Sequence, residues 1–359
     1  MKYLILTNHS YMLWQFRREL IARLLQQGNV VISTPFVGRQ EDFQAMGCRC
    51  IETALNRRQV DPPGDIYLHR FYLRLLKTER PELVLTYSIK PNIFGGLACR
   101  RLGIPYCSNV QGLGSAFTRE PMASAVSVLY RAALKGAGTV FFENTASADE
   151  FARRRIVPRS RRTLLPGAGV NLAWYPQMPY PDRADGIHFL YLGRFMREKG
   201  VEELFAAARK LHGVYGQQVV LDLAGFFEED CRSAVDQLVR DGVARFHGFQ
   251  ADPRPLYQAA HCVVVPSYHE GMSNVLLEAA SCGRAVIASD IPGCREAVED
   301  GKTGLLVPVR DADALYRAME TFIKLPEARW QEMGALGRGR MALRFDRVQV
   351  VARTRAWMS

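Results

Sequence analysis

The sequence lacks the features that define several common protein classes. None of its apolar runs approaches the ~20 residues that a helix needs to cross a bilayer. The opening MKYLILTNHS turns polar where a signal peptide would stay apolar. Its eight cysteines include no CxxC pair and have no paired histidines nearby, which argues against a zinc site and against a disulfide framework. We therefore expect a cytoplasmic protein whose cysteines are mostly small buried apolar residues.

Acidic residues are scarce in the first half of the chain only. Residues 1–168 contain 24 Lys and Arg against 12 Asp and Glu, a net charge of +12, whereas the remainder has 23 against 24 and the whole chain carries +11. Such asymmetry is typical of proteins that meet nucleic acid or an anionic membrane surface, although a solvated basic face gives the same count. The densest basic run is RRRIVPRSRR, residues 153–162, for which we expect no role in the core.

The length of 359 residues predicts two domains. Apolar runs alternate with amphipathic helical patterns in two series, separated by the Pro- and Gly-bearing segment 164–186. This alternation is typical of mainly parallel sheets. The first series of predicted strands is YLILT, NVVIST, ELVLTY, IPYCSNV and GTVFFEN, and the second is IHFLYLGRF, VVLDLAGF, ARFHGF, CVVVPS, AVIASD and TGLLVPV. We predict an α/β fold of two doubly wound Rossmann-like domains facing each other across a cleft, residues 1–168 and 169–359, with the last helix free to cross back to the first domain.

Two carboxylates lie in the stretch PSYHEGMSNVLLEAASCGRAVIASD, between two predicted strands. Glu270 precedes an apolar helix, and Glu278 lies about five residues inside it, roughly 7 Å along the axis at ~1.5 Å per residue. That offset is about the one between a diphosphate and its ribose. We therefore expect Glu278 to hold a ribose and Glu270 a transferred sugar, since carboxylates accept hydrogen bonds from sugar hydroxyls. The alternative is an ordinary loop charge and a solvated helix residue.

The start of the same helix is a predicted phosphate site. If Ser273 or a neighbour caps the helix, the N–H groups of the first turn are available to an anion, and Gly271 lets the backbone approach the ligand closely. The expected donor-binding residues of this segment are Gly271, Met272, Ser273, Asn274 and Val275.

Two cations follow the first strand of the second series, in YLGRFMREKGVEEL. Arg194 comes directly after Gly193, an expected donor-binding residue at the strand end, and Lys199 lies at the start of the next helix. Both would face the same edge of the sheet, where together they can neutralise a leaving diphosphate. The alternative interpretation is strand-end and helix-surface charge.

GRFMREKG and EGMSNVLLEAASCGRAVIASDIPGCREAVEDGKTGLLV together resemble the retaining glycosyltransferases of family 4, which have the GT-B fold and an E-x7-E motif. The likeness extends over essentially the whole chain: TYSIKPNIFGGLACRRLGIP, GLGSAF and FFEN are similar to the bacterial branch that assembles capsule, O-antigen or exopolysaccharide units. The resemblance implies that Arg194 and Lys199 bind the donor diphosphate, that Glu270 contacts the donor sugar and that Glu278 holds the ribose.

The chain departs from the family pattern at two places. Many members have a histidine after the fourth N-terminal strand, near the donor sugar, where this chain has Gln111, an amide that can hydrogen-bond a sugar but cannot titrate. The usual glycine pair of the first loop is replaced by NHSYMLW. Ser10 in that loop and Lys90 in SIKPN are the expected acceptor-side residues, although Lys90 could equally be a solvated loop charge.

The resemblance implies transfer, with retention, of a hexose or N-acetylhexosamine from a UDP-sugar to a lipid-diphosphate-linked saccharide. We expect no cofactor and no metal besides the nucleotide-sugar substrate, because DAD, residues 311–313, precedes a helical pattern and predicts an N-cap rather than a metal site. The first domain would bind the acceptor and the anionic inner face of the plasma membrane, and the second would bind the donor. Two alternatives stay open: a GT-B-fold sugar-nucleotide 2-epimerase, and a basic nucleic-acid-binding protein, for which no recognised motif is present.

Overall fold

The computed structural model describes residues 1–55, 61–113, 117 and 120–358, so part of the GLGSAF motif lies outside the described residues. The chain forms two compact units. The first contains Met1–Ala168 together with Arg347–Ser359, and the second is Gly169–Asp346. The chain thus passes from one unit to the other after Ala168 and returns after Asp346, which assigns the closing helix to the first unit.

The first unit is built on a seven-stranded sheet with the order β3-β2-β1-β4-β5-β6-β7, in which all the neighbouring strands run parallel. The strands are β1 Lys2–Leu6, β2 Asn29–Thr34, β3 Arg49–Glu52, β4 Leu83–Tyr87, β5 Tyr106–Val110, β6 Thr139–Phe142 and β7 Arg162–Leu164. All five predicted strands of this half are confirmed. The sequence pattern missed β3 and β7, because these short edge strands are partly exposed and carry no apolar run.

Helices cover both faces of this sheet. One face packs against a core with residues of α3, α4, α5 and α6, and the other packs against a core with residues of α1, α2 and α14. The helices are α1 Ser10–Leu25, α2 Gln40–Ala45, α3 Pro62–Glu79, α4 Gly96–Leu102, α5 Glu120–Leu134, α6 Thr145–Arg153 and α14 Arg347–Ala356. Among the described residues, no helix is both long enough and apolar enough to span a membrane.

The basic run 153–162 is partly structural, so the expectation that it has no core role is wrong. Ile156 and Val157 are buried in the core of the first unit. Arg154, whose side chain is 11% exposed, pairs with Glu120 at 2.8 Å and with Glu150 at 2.5 Å. The run therefore contributes to the core and joins α6 to α5, besides presenting charge to solvent.

The second unit contains a six-stranded parallel sheet with the order β10-β9-β8-β11-β12-β13, which is the doubly wound order about its first strand. Its strands are β8 Ile187–Leu192, β9 Val219–Ala224, β10 Ala244–Phe246, β11 Cys262–Val265, β12 Ala285–Ser289 and β13 Gly304–Val307, as predicted. Its helices are α7 Val201–Tyr215, α8 Arg232–Arg240, α9 Arg254–Ala259, α10 Asn274–Ser281, α11 Pro292–Arg295, α12 Ala312–Lys324 and α13 Glu327–Arg340.

Parallel pairing decides which loops of the second unit meet. β8 lies between β9 and β11, so the loops that follow these three strands leave from one edge of the sheet. The loop after β8 carries Arg194 and Lys199, and the loop after β11 carries Glu270.

All eight cysteines are free thiols and six of them are buried, which confirms that most of them act as small apolar residues.

Candidate active site

The turn before α7 and the loop after β11 are held against each other by backbone contacts. The N–H of Tyr268 donates to the carbonyl of Glu198 at 2.9 Å. Gly200 has φ +68, and a Cβ at this position would lie 2.0 Å from the carbonyl oxygen of Pro266. Only glycine accommodates both that conformation and that approach. The two contacts fix Lys199, the residue before Gly200, beside the loop of Glu270.

Lys199 and Glu270 form an ion pair at the end of this loop. The Lys199 Nζ donates to Glu270 Oε1 at 2.6 Å, and the two side chains are 18% and 14% exposed. The structure therefore brings together two of the predicted catalytic residues. Neither charge is buried alone, because each side chain is paired with the other.

Arg194 is paired with a carboxylate that sequence analysis did not select. Its Nη1 donates to Oε2 of Glu228 at 2.5 Å, and the Glu228 side chain is 5% exposed whereas that of Arg194 is 43% exposed. Glu228 follows β9, whose end adjoins the end of β8: Gly193 N–H donates to Ala224 at 3.0 Å. A buried carboxylate thus holds a half-exposed guanidinium at the same edge of the sheet as Lys199.

The N-terminus of α10 has an uncapped first turn. Ser273 occupies the N-cap position and is buried, but its hydroxyl makes no capping hydrogen bond. The Oδ1 of Asn274 is buried and has no hydrogen-bond partner in the described structure. Met272 is buried in a hydrophobic core of the second unit, and Val275 packs against the same core. The helix start therefore keeps N–H donors and one amide oxygen that a polar ligand would satisfy.

Gly293, which was not among the predicted site residues, packs against the loop that precedes α10. A Cβ on Gly293 would lie 2.4 Å from the carbonyl oxygen of Gly271 and 2.8 Å from that of Glu270. The α11 turn therefore packs directly on the backbone of this loop. Any larger residue at position 293 would push the Glu270 carboxylate out of place.

Glu278 lies one turn inside α10 and is 6% exposed. Its Oε2 accepts a hydrogen bond from the hydroxyl of Tyr257, on α9, at 2.9 Å. Burial, and then the Glu278 carboxylate, raise the pKa of Tyr257 well above its usual value, so the phenol keeps its proton and donates. The role of Glu278 in holding a ribose stays a prediction.

Gln111 belongs to the first unit, directly after β5, where it forms a hydrogen bond with Glu143 at the end of β6. Glu143 also accepts from Arg17 of α1, with Nη2 to Oε1 at 2.5 Å and both side chains 10% exposed. Burial raises the pKa of Glu143, while the Arg17 guanidinium and the Gln111 amide act in the opposite direction. The Gln111 hydrogen bond lowers the pKa of Glu143, which is the effect of an amide nitrogen that donates to the carboxyl group, so the amide oxygen of Gln111 is left for other donors.

The two expected acceptor-side residues, Ser10 and Lys90, make different contacts in the structure. Ser10 is fully buried, and its hydroxyl donates to Gly38 at 2.9 Å and accepts from Val37 at 2.8 Å. The Ser10 hydroxyl therefore holds the loop after β2, and its role on the acceptor side stays a prediction. Lys90 pairs with Asp65 at 2.7 Å and is 15% exposed. Its role on the acceptor side stays a prediction.

The DAD sequence is a helix cap, as predicted. Asp311 is the N-cap residue of α12, and its side chain accepts from the N–H of Ala314 at 2.8 Å. Within the part of the chain that the structure describes, no three His, Cys, Asp or Glu side chains are grouped so that they could hold a metal ion.

The residues that hold the predicted ones in place are not evident from the sequence pattern. Glu228, Tyr257 and Glu143 each contact a predicted site residue from a different element. The positions of Glu228 and Glu143 in the sequence could have indicated them. Glu228 follows β9, the neighbour of β8, and Glu143 follows β6, the neighbour of β5. Tyr257 is a fully buried residue of the short helix α9 and looks like an ordinary core aromatic in the sequence, so no local pattern indicates its contact with Glu278.

Comparison with known proteins follows the same division. Residues 13–168 match the model of the glycosyl transferase 4-like domain, and residues 186–324 match that of glycosyl transferases group 1. A Campylobacter jejuni protein, N,N'-diacetylbacillosaminyl-diphospho-undecaprenol alpha-1,3-N-acetylgalactosaminyltransferase, is 25% identical over 329 residues, 86% of each chain. The lipopolysaccharide core biosynthesis glycosyltransferase LpsE of Rhizobium meliloti is 35% identical over 144 residues, 39% of this chain and 40% of LpsE.

Solved structures share the fold over the full length. The structure of Anabaena HepE in complex with UDP and glucose gives a TM-score of 0.81 at 18% identity, covering 100% of this chain and 99% of HepE. Sucrose-phosphate synthase from Thermosynechococcus elongatus gives 0.78 at 23% identity, covering 99% and 97%. The two matched domain models and this shared architecture show that the chain is a glycosyltransferase of the GT-B fold.

Proposed function

We propose that the protein transfers a hexose or an N-acetylhexosamine, with retention, from a UDP-sugar to a lipid-diphosphate-linked saccharide during assembly of a bacterial surface polysaccharide. The Campylobacter relative is named for N-acetylgalactosamine transfer to a diphospho-undecaprenol acceptor. HepE was crystallised with UDP, with UDP and glucose, and with UDP-glucose. These names support the donor and acceptor classes of the proposal, and capsule, O-antigen or exopolysaccharide units are the products that it predicts.

The observation that carries the proposal is the Lys199–Glu270 pair, which joins the turn before α7 to the loop that leads to the uncapped start of α10. The ammonium has three N–H donors and the carboxylate two oxygens, so the pair can stay bonded while each partner also binds a ligand group. Lys199 would then donate to the donor diphosphate, and Glu270 would accept from a sugar hydroxyl. Glu278, further inside the helix, would hold the ribose hydroxyls.

The proposed chemistry uses charge stabilisation at the leaving group. Arg194, held by Glu228, and Lys199 would stabilise the nucleoside diphosphate as the glycosidic bond breaks, together with the N–H groups at the start of α10. The carboxylates hold hydroxyls rather than attack the anomeric carbon. The departing phosphate oxygen would therefore take the proton of the acceptor hydroxyl, which enters on the same face of the sugar and gives retention.

Gln111, directly after β5 in the first unit, would be a sugar-binding residue. Glu143 binds its amide nitrogen, so the amide oxygen is the group presented. A carbonyl oxygen accepts from a hydroxyl or from the N–H of an acetamido group.

One screen tests the proposal. Purified protein is incubated with a panel of UDP-, GDP-, ADP- and CMP-sugars, with and without a lipid-diphosphate-linked saccharide, and nucleotide release and product anomer are measured. We expect UDP release that depends on the acceptor and an α-linked product from an α-linked donor. A change in the donor sugar without acceptor would indicate a 2-epimerase instead, and inversion of the anomeric centre would contradict the mechanism.

A further inference from the structure

The strand order of the two sheets reverses at corresponding places. In the second unit β8 and β11 are neighbours, and the helices that follow them, α7 and α10, pack on opposite faces of the sheet. In the first unit β1 and β4 are the neighbours, and α1 and α4 likewise pack on opposite faces. The loops that follow such a strand pair diverge and leave a crevice between them, which is the usual ligand site of an open α/β sheet.

A pair of polar side chains spans each of these crevices. In the second unit the pair is Lys199 and Glu270, from the turn before α7 and the loop after β11. In the first unit Asn8 follows β1 and Ser88 follows β4, and the Ser88 hydroxyl donates to Oδ1 of Asn8 at 2.8 Å. The Lys199–Glu270 pair is charged whereas the Asn8–Ser88 pair is neutral, so the two crevices suit different chemical groups.

Ser88 has a strained backbone. Its φ is +74, in the left-handed region that a serine rarely adopts. The carbonyl of Ser88 accepts from the N–H of Asn92 at 2.9 Å. Asn92 is buried, and its side chain accepts from the Thr86 hydroxyl at 2.6 Å and donates to the carbonyl of Asn109 at 2.8 Å. A buried polar network therefore holds Ser88 in a conformation that costs free energy, and residues held in this way concentrate at ligand sites.

The bond between Asn8 and Ser88 leaves hydrogen-bonding groups of both kinds for a ligand. It uses the oxygen of the Asn8 amide and the hydrogen of the Ser88 hydroxyl. The two amide N–H groups of Asn8 can still donate, and the Ser88 oxygen can still accept. Both residues are partly exposed. A phosphate or a carboxylate offers only acceptors, whereas each hydroxyl of a sugar both donates and accepts, so the pair suits a sugar.

We propose that Asn8 and Ser88 bind the terminal sugar ring of the acceptor, with one ring hydroxyl accepting from the Asn8 amide and a neighbouring hydroxyl donating to the Ser88 oxygen. The inference rests on the proposed function and adds two acceptor-binding residues to it. Lys199 and Arg194, the cations assigned to a nucleoside diphosphate, belong to the second unit. The neutral crevice of the first unit is therefore assigned to the uncharged part of the other substrate.

Binding of methyl glycosides to the full chain tests this assignment. The probes are the methyl α-glycosides of glucose, galactose, N-acetylglucosamine and N-acetylgalactosamine, titrated by saturation-transfer-difference NMR in saturating UDP. Asn8→Asp keeps an acceptor for the Ser88 hydroxyl but removes both N–H donors. Ser88→Gly removes the hydroxyl and relieves the backbone, because glycine adopts a φ of +74 readily. A purely structural role of Ser88 therefore predicts a variant that is at least as stable as the wild type and binds sugar equally well.

Two control variants match these changes away from the crevice. Arg80→Gly relieves another left-handed residue, with φ +47, before β4 at the opposite end of the sheet. Asn29→Asp makes the same amide-to-carboxylate change at the exposed start of β2. Thermal unfolding checks that each variant folds, and calorimetric titration with UDP checks that each keeps its donor site.

We expect at least one glycoside to bind the wild type, and both crevice variants to bind it about fivefold to tenfold more weakly, which is the effect of losing one hydrogen bond. The controls should bind the glycoside as the wild type does, and UDP affinity should be unchanged throughout. In the transfer assay the crevice variants should raise the acceptor KM and leave the donor KM unchanged.

Three outcomes of the titrations would overturn the inference: no glycoside binding by the wild type, wild-type affinity in Asn8→Asp and Ser88→Gly, or an equal loss of UDP binding in these variants. Glycoside binding that Glu270→Ala abolishes and the crevice variants spare would also overturn it, because the sugar would then belong to the donor site. The titrations require no sugar transfer, so their failure is distinguishable from a failure of the proposed function.

Discussion

The Lys199 ammonium lies 2.6 Å from the Glu270 carboxylate, although 71 positions separate the two residues in the chain. The contact depends on the parallel pairing of β8 with β11 and on the close approach of Gly200 to Pro266. Each charge is held by the other in a site that is largely shielded from water. Removing either one therefore changes both the charge and the position of the remaining partner.

We predict that Lys199→Ala and Glu270→Ala each lower kcat/KM by roughly 30-fold to 1,000-fold, about 2 to 4 kcal/mol of transition-state stabilisation. The double variant should lose less than the product of the single losses, because the two residues act as a unit. Steady-state kinetics on all three variants measures this. Lys210→Ala breaks an exposed Lys–Asp pair with Asp313 elsewhere in the same unit, and it should keep wild-type activity. Full additivity of the two single losses would contradict a shared role.

Arg194→Ala should reduce kcat by a similar factor, because the guanidinium would stabilise the leaving diphosphate. Glu228→Gln should cause a smaller loss that appears mainly in kcat, since it loosens the position of Arg194 without removing its charge. Arg197→Ala, three residues away and 73% exposed, is the matched control. Near-wild-type turnover of purified Arg194→Ala would rule out this assignment of the diphosphate site.

Glu278→Ala should weaken UDP binding, because the carboxylate would lose its bonds to the ribose hydroxyls. We expect a loss of about 2 to 4 kcal/mol, comparable with that of other charged hydrogen-bonding groups in desolvated sites. Tyr257→Phe should produce a smaller loss, since it removes only the 2.9 Å bond that orients the carboxylate. Calorimetric titration with UDP measures both. A Glu278→Ala protein that binds UDP normally, with unchanged circular dichroism, would exclude the ribose role.

Chelation is expected to leave activity intact, because Arg194 and Lys199 can supply the positive charge that a metal would otherwise bring to the diphosphate. The measurement is turnover before and after EDTA treatment. Loss of activity on chelation that added Mn²⁺ restores would count against the prediction.

Acid should destabilise the second unit through His261. Burial, followed by the fields of His188 and Arg284, lowers the pKa of His261 from 6.5 to about 4. Because the folded-state pKa lies below the unfolded one, the unfolded chain binds the proton first, and stability falls as pH drops from 6.5 towards 4. We expect a loss on the order of 2 to 3 kcal/mol over that window. Urea unfolding at several pH values measures it, and His261→Asn should flatten the slope while keeping an acceptor for the His188 N–H. An unchanged slope in that variant would contradict the assignment.

Much of the fold was predictable because its signals are local. Each predicted strand is a short apolar run. Gly193 and Arg194 directly follow one of these runs, and Glu270 lies in the loop after another, so their positions can be assigned from the local sequence. The same applies to the cap at Asp311. The edge strands β3 and β7 and the burial of Ser10 could not be predicted in this way, since an edge strand needs no apolar run and a serine in a first loop has no local mark of burial.

The sequence by itself determined that the chain has two α/β units, that its positive charge is concentrated in the first, and which loops carry the glycosyltransferase motifs. These properties follow from periodicity, composition and the order of residues along the chain. Only the tertiary structure decided that Lys199 pairs with Glu270, Arg194 with Glu228, Glu278 with Tyr257 and Gln111 with Glu143. Such pairs form between elements distant in sequence, and they depend on strand order and on close backbone approaches at single glycines. The outward placement of Met122, Val128 and Leu129 on α5 was decided in the same way, because packing on the sheet selects which side of a helix is buried.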